Sequence, residues 1–229
     1  MANFFPDYYN LNRANQVLVY YIKGNSVGIF SNMKNIILAS ASPRRKELLK
    51  KIGLRFTVDP SGCAEDTAAG LEPHALVRQI SLDKANAVAA KHPDSIIIAA
   101  DTIGVIGAKI LGKPHTAQEA AKMLRAIGGK SHLVITGFTI LDTATKKQIT
   151  KTVDTTVYIK ALSDAEIEAY VRTGEALDKA GAYAIQGKGA LLVEKIEGDF
   201  YNVMGLPLSA LAETLKSFGV DVWNGDNSV

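Results

Sequence analysis

The residues best suited to chemistry begin with Ala39-Ser40-Ala41-Ser42-Pro43-Arg44-Arg45, where hydroxyls and guanidiniums crowd into a small polar turn. Ser42 suits the N-cap of a helix, and Pro43 suits its first position, where a missing N–H costs nothing. Arg44 and Arg45 then fall in the first helical turn, where exposed N–H groups and the helix dipole are already positive. An anion seated in the turn removes that conflict, held by backbone amides, the Ser40 and Ser42 hydroxyls and the guanidinium forks. The plain alternative is a pair of solvated surface arginines. Asp101-Thr102 follows the apolar run at 96–100. A carboxylate beyond the carboxyl end of a strand can hold a divalent metal or activate water, and it can equally be an ordinary turn residue. Glu65 and Asp66 stand among small residues in the stretch 59–72, which is long for a mere connection. Around Gln186 the chain is dense in glycine, which signals tight turns or close backbone approach to a ligand. No spacing there matches a dinucleotide or P-loop fingerprint.

These residues need elements to hold them. Residues 36–39 read as a short buried strand, and the helix opened by Pro43 carries the apolar stripe Leu48, Leu49, Ile52 before Gly53 stops it. A second strand is expected at 55–58. Pro73 opens a helix to about residue 91, with Leu76, Ile80 and Val88 facing the core. Lys84 lies near its middle, and a lone helical lysine ordinarily faces solvent. Residues 95–100 form the clearest buried strand, with Asp101-Thr102 at its end. Gly104, Gly107 and Gly112 frame a short two-strand excursion. Capping boxes at Thr116–Glu119 and Ser163–Glu166 start two more helices, ended by Gly128-Gly129 and by Gly174. Between them, 132–141 and 152–159 alternate as paired antiparallel strands. A strand at 191–196 and a helix from Pro207 to about residue 218 complete the pattern. Alternating strands and helices followed by an antiparallel stretch predict an α/β fold: a mixed, partly antiparallel sheet flanked by helices, in two lobes with a central cleft.

Composition narrows the function. A hydrophobic fraction of 47% and a charged fraction of 21% describe an ordinary soluble globular chain, and a net charge of +3 is too small to argue for nucleic acid. Cys63 is the only cysteine, which excludes an intrachain disulfide framework and cysteine-based metal sites and fits a reducing, cytoplasmic compartment. The histidines 74, 92, 115 and 132 lack metal-ligand spacing. Residues 1–34, rich in Phe, Tyr and Asn, are expected to be an extension outside the domain, ordered or not. Residues 35–220 form the domain, and 221–229 a frayed tail. The apolar stretch at 16–22 is too short to span a bilayer, so no membrane partner is expected.

The motifs Ala39-Ser40-Ala41-Ser42-Pro43-Arg44-Arg45, Ala100-Asp101-Thr102, Gly112-Lys113-Pro114, Gly181-Ala182-Tyr183-Ala184-Ile185-Gln186-Gly187 and Met204-Gly205-Leu206-Pro207-Leu208, in that order, resemble those of the Maf family of nucleoside triphosphate pyrophosphatases. The resemblance implies a cleft between lobes, a homodimer, and hydrolysis of a nucleotide to its monophosphate and pyrophosphate with Mg²⁺ or Mn²⁺. It implies Asp101 as general base or metal ligand, and Arg44, Thr102 and Gln186 as positions linked to substrate choice. By the same resemblance Ser40, Arg45, Lys84 and Lys113 bind phosphate, and Glu65 lies near the metal. Ile185-Gln186-Gly187 resembles the branch acting on dTTP and UTP, and a Gln amide offers both a donor and an acceptor to a thymine or uracil edge. The alternatives are the branch that prefers 7-methyl-GTP and a nucleotide-binding regulator of cell division that does not hydrolyse. Gly104, where the family usually has Val, is a departure, as is the N-terminal extension.

Overall fold

A computed structural model describes residues 9–12, 17–22, 26–29, 34–63, 70–177 and 179–223. Glu65, Asp66 and the tail at 224–229 therefore lie outside the described residues. Near the N-terminus β1 (Tyr9–Asn12), β2 (Val17–Ile22) and β3 (Ser26–Ile29) pair antiparallel in a sheet of their own. The remaining elements are β4 (Asn35–Leu38), α1 (Pro43–Lys51), β5 (Thr57–Val58), α2 (Pro73–Ala89), β6 (Ser95–Ile106) and β7 (Lys109–Leu111). Then come α3 (Ala117–Ile127), β8 (Ser131–Asp142), β9 (Gln148–Ile159), α4 (Asp164–Val171), β10 (Val193–Gly198), α5 (Phe200–Val203) and α6 (Leu208–Lys216). The main sheet runs β10-β9-β8-β6-β4-β5, with β7 on β6; β4 is parallel to β5 and β6, and the other pairs are antiparallel. The expected mixed α/β sheet is therefore present.

Side-chain alternation along the strands sorts the core. Ile36, Leu38, Ile96, Ile98 and Ala100 pack with Leu48 and Leu49 of α1 and Leu211 and Leu215 of α6. The alternate residues Ile37, Ala39, Ile97 and Ala99 pack with Ala85 and Val88 of α2, and Leu76, Val77 and Ile80 continue that layer over Ile103, Val105 and Ile135. Strands covered on both faces explain why β4 and β6 read as continuous apolar runs. A second body of core gathers Leu124 and Ile127 of α3, Ile167 and Tyr170 of α4, and Val134, Val157 and Ile159 of the sheet.

The helix signals are realised. Ser42 Oγ accepts from Arg45 N, Thr116 caps α3, and Ser163 with Glu166 forms a complete capping box on α4. Glu119 reaches one residue further back than its box implies, accepting from His115 N at 2.7 Å. Other expectations need correction. The strand at 95–100 does not end at Asp101 but continues to Ile106. The strand at 55–58 is only Thr57–Val58. Residues 187–192 form a 3₁₀ helix, so β10 starts at Val193 rather than 191. The short α5 has no counterpart in the sequence reading, because a single turn carries no periodicity; its one signal is the Asp199 N-cap, which accepts from Tyr201 N and Asn202 N. Gly104 keeps its place in the ladder, opposite Leu111 and Val134.

Candidate active site

The continuation of β6 creates the site. Along one edge its pairing with β4 stops at Leu38↔Ile98, and pairing with β7 resumes only at Gly104↔Leu111. Between those points β6 has an open edge, and a cleft of about 810 Å³ forms there. Ser40, Arg44, Arg45, Lys84, Asp101, Thr102, Lys113 and Gln186 all line it. Every sequence-expected site residue among the described residues is thus brought to one cavity; Glu65 lies outside those residues.

Asp101 and Thr102 are consecutive on a strand and so point to opposite faces. Asp101 falls on the α2 face. There Lys84 donates to Asp101 Oδ1 at 2.7 Å, and both side chains are only 8% exposed. The expectation that a helical lysine faces solvent fails here, because the strand register puts a buried carboxylate directly beneath it. A charge-assisted bond between two buried side chains is strong and geometrically demanding.

Thr102 falls on the α1 face, where Arg45 meets it. The buried Arg45 guanidinium donates from Nε to Gly205 O at 2.7 Å, from Nη1 to Ser40 Oγ at 3.2 Å and from Nη2 to Thr102 Oγ1 at 3.1 Å. It therefore ties together α1, the end of β4, β6 and the turn after α5. The hydroxyl directions follow. Thr136 Oγ1 donates to Asn202 O, so it must accept from Thr102 Oγ1. With its proton so used and one lone pair taken by Arg45, Thr102 has only a lone pair to offer a ligand. Ser40 is the opposite case. Its Oγ accepts from Ser42 N and from Arg45 Nη1, which leaves its O–H to donate. That suits a phosphate oxygen.

Arg44 is half-buried, and burial pulls its guanidinium below the usual arginine range, with Glu47 and then Tyr170 partly opposing. A cation stripped of water gains from an incoming anion, which favours the anion reading of the first helical turn over solvated arginines. Lys113 is exposed at the cleft. Gln186 precedes the 3₁₀ turn, and its amide has no hydrogen-bond partner among the described residues. Lys179 and Ser61, which the sequence analysis does not name, also line the cleft, as do Cys63 and Tyr183, to which it gives no role there. For Lys179 a signal was present, since it stands two residues before the glycine-rich motif.

Behind Tyr183 lies His132, 4% exposed, whose Nε2 is 2.9 Å from the Tyr183 hydroxyl and whose Nδ1 has no partner among the described residues. Burial lowers the His132 pKa to about 4 and raises that of Tyr183. Because the folded value lies below the ordinary histidine value of 6.5, the unfolded chain binds more protons between those pH values. This contribution to stability is complete above about pH 6.5 and falls away toward pH 4, by about 3 kcal/mol over the full span. Urea midpoints measured across that window should decline less steeply in His132→Gln than in the wild type. Equal slopes would assign the acid sensitivity to other groups.

Among the described residues no cluster of three or more His, Cys, Asp or Glu side chains is arranged to hold a metal, and Asp101 is the only carboxylate lining the cleft. Mg²⁺ is commonly held by one or two carboxylates plus substrate phosphates, so this donor set fits an ion that shares its ligands with a polyphosphate. A cleft whose charged lining among the described residues is arginines, lysines and one buried carboxylate suits a polyphosphate ester.

Comparison with known proteins agrees with that class. The model of Maf-like proteins matches residues 35–218. The dTTP/UTP pyrophosphatase of Methanosarcina barkeri is 50% identical over 192 residues, 83% of this chain and 98% of its own. That of Moorella thermoacetica is 48% identical over 191 residues, 83% and 98%. That of Methanococcoides burtonii is 50% identical over 193 residues, 84% and 99%. The chain belongs to the Maf family.

Proposed function

We propose that this protein is a nucleoside triphosphate pyrophosphatase that hydrolyses dTTP and UTP to the monophosphate and pyrophosphate. The observation that carries the reading is the buried Lys84–Asp101 pair at the open edge of β6, inside a cleft whose other charged side chains are cations and which Gln186 also lines. Relatives at about half identity along nearly their whole length bear that activity in their names.

Phosphoryl-type transfer is mainly positioning and charge neutralisation. Arg44, Lys113 and the Ser40 hydroxyl bind the triphosphate oxygens, while Arg45, engaged by Ser40, Thr102 and Gly205, holds the walls in register. Lys84 fixes the orientation of the Asp101 carboxylate. Water attacks the α-phosphorus in line. The new P–O bond forms as the bridge to the β-phosphorus breaks, pyrophosphate leaves with the bonding pair, and the proton of the water passes to Asp101. In its alternative role Asp101, with Glu65 and the substrate phosphates, would hold a divalent cation instead of taking the proton, and that cation supplies charge neutralisation when bound. Gln186 reads the base, its amide donating to a carbonyl and accepting from the N3–H.

The same reading includes a cytoplasmic homodimer. No helix among the described residues is long and apolar enough to cross a membrane.

An endpoint assay with Mg²⁺ over dTTP, UTP, CTP, GTP and 7-methyl-GTP, separating pyrophosphate from orthophosphate, tests the proposal. Pyrophosphate from dTTP and UTP alone is expected. Pyrophosphate mainly from 7-methyl-GTP would keep the reaction and overturn the base preference. No turnover from a folded, nucleotide-binding protein would favour a regulator.

A further inference from the structure

The amide of Gln186 can select a base only if its backbone is held still, and the segment that carries it is a loop. Ala184, Ile185 and Gln186 line the cleft, whereas Gly187, Lys188 and Gly189 do not. Just outside the cleft, the Glu175 carboxylate accepts from Lys188 N at Oε1 and from Gly189 N at Oε2, each at 3.2 Å. On the other side of Gln186, the hydroxyl of the buried Tyr170 accepts from Ala184 N at 3.2 Å. Both residues come from one place, the last turns of α4 and the bend at Gly174 that follows it.

The glycines of the loop match this arrangement. A Cβ on Gly187 would lie 3.0 Å from each Glu175 oxygen, and its φ of +65° is itself a position that favours glycine. A Cβ on Gly189 would lie 2.2 Å from Ala184 O and 2.7 Å from the Tyr170 hydroxyl. The loop is folded back on itself so tightly that the carboxylate and the phenol reach its backbone from opposite flanks of Gln186. Glu175 thus takes a place that an external anion would otherwise take, satisfying consecutive amides at the start of the 3₁₀ turn. Neither Glu175 nor Tyr170 lines the cleft.

We infer that Glu175, backed by Tyr170, is a positioning residue for base selectivity: it clamps the Ala184–Gly189 loop so that the Gln186 amide faces the nucleobase in one orientation. This rests on the reading of Gln186 given above. The clamp acts on recognition of the base and only weakly on the reacting phosphorus, so its loss appears in KM and in discrimination more than in kcat for the preferred substrate.

The test measures kcat and KM for dTTP and CTP in the full chain and in Glu175→Ala, Glu175→Gln, Gln186→Ala and the double variant, with melting temperatures recorded for each. Glu175→Ala should lower the dTTP-over-CTP ratio of kcat/KM by about tenfold, mostly through KM, since charge-assisted backbone bonds are lost. Glu175→Gln keeps one acceptor oxygen and should fall between. The double variant should discriminate no worse than Gln186→Ala alone, because both act through one amide. A lowered melting temperature with discrimination intact, in either Glu175 variant, would reduce Glu175 to a fold-stabilising residue and overturn the inference. If Gln186→Ala itself leaves the ratio unchanged, the base-reading role of Gln186 falls, and the clamp falls with it.

Discussion

Asp101→Asn should lose about a thousandfold in turnover while still binding dTTP. The expectation comes from the position of the carboxylate. It is 6% exposed, it sits on the open edge of β6, and it is the only carboxylate that the described cleft presents. An amide cannot accept the proton of an attacking water, and loss of a positioned base typically costs about 10²- to 10⁴-fold. The substitution is nearly isosteric, and the Asn carbonyl can still accept from Lys84 Nζ, so the local geometry survives. What is lost is the negative charge that Asp101 sets against the Lys84 ammonium. Pyrophosphate release at saturating dTTP and the dissociation constant for dTTP together check the result. Slow turnover with nearly unchanged affinity places Asp101 at the reacting centre. Near-normal turnover would remove it.

The same pair marks the boundary of what could be read from sequence. The motifs around Ser40, Asp101 and Gln186 were legible, since each joins a strand or a turn to polar groups within a few residues. The pairing of Lys84 with Asp101 was not. Asp101 lies 17 residues on, across a helix, a loop and a strand, and only register brings the two together. The true end of β6 is hidden for the same reason. A charged residue after an apolar run normally ends a buried strand, but here the charge is matched and the strand continues to Ile106. Arg45 was legible as a cation near an anion site but not as a structural tie, because Gly205 stands 160 residues away. The arrangement of hydroxyl donors that leaves Ser40 a donor and Thr102 an acceptor depends on Thr136 and Asn202, neither of which carries a local signal.

Gly137→Ala should destabilise the fold by about 3 kcal/mol and, in what remains folded, cost a further hundredfold in turnover. Gly137 is the cross-strand neighbour of Asp101 in the β6–β8 ladder. Directly over it runs α2. A Cβ at Gly137 would lie 2.5 Å from Val77 O, 2.6 Å from Val77 C and 3.0 Å from Arg78 N. These are backbone atoms of a helix, and no side-chain rotation relieves them. The helix must lift or the strand must bend, and overpacking of this kind costs about 1 to 3 kcal/mol, with rigid neighbours at the upper end. The functional consequence follows from which helix moves. Lys84 is on α2, and its 2.7 Å bond to Asp101 has little room to stretch. A displacement of about 1 Å at a catalytic pair can cost a hundredfold in rate. Chemical denaturation gives the first number, and kcat for dTTP below the unfolding transition gives the second. A destabilised variant with wild-type kcat would mean that α2 tilts about its Lys84 end, and that the close approach at Gly137 serves packing alone. Loss of both would tie catalysis to the absence of a single methyl group between sheet and helix.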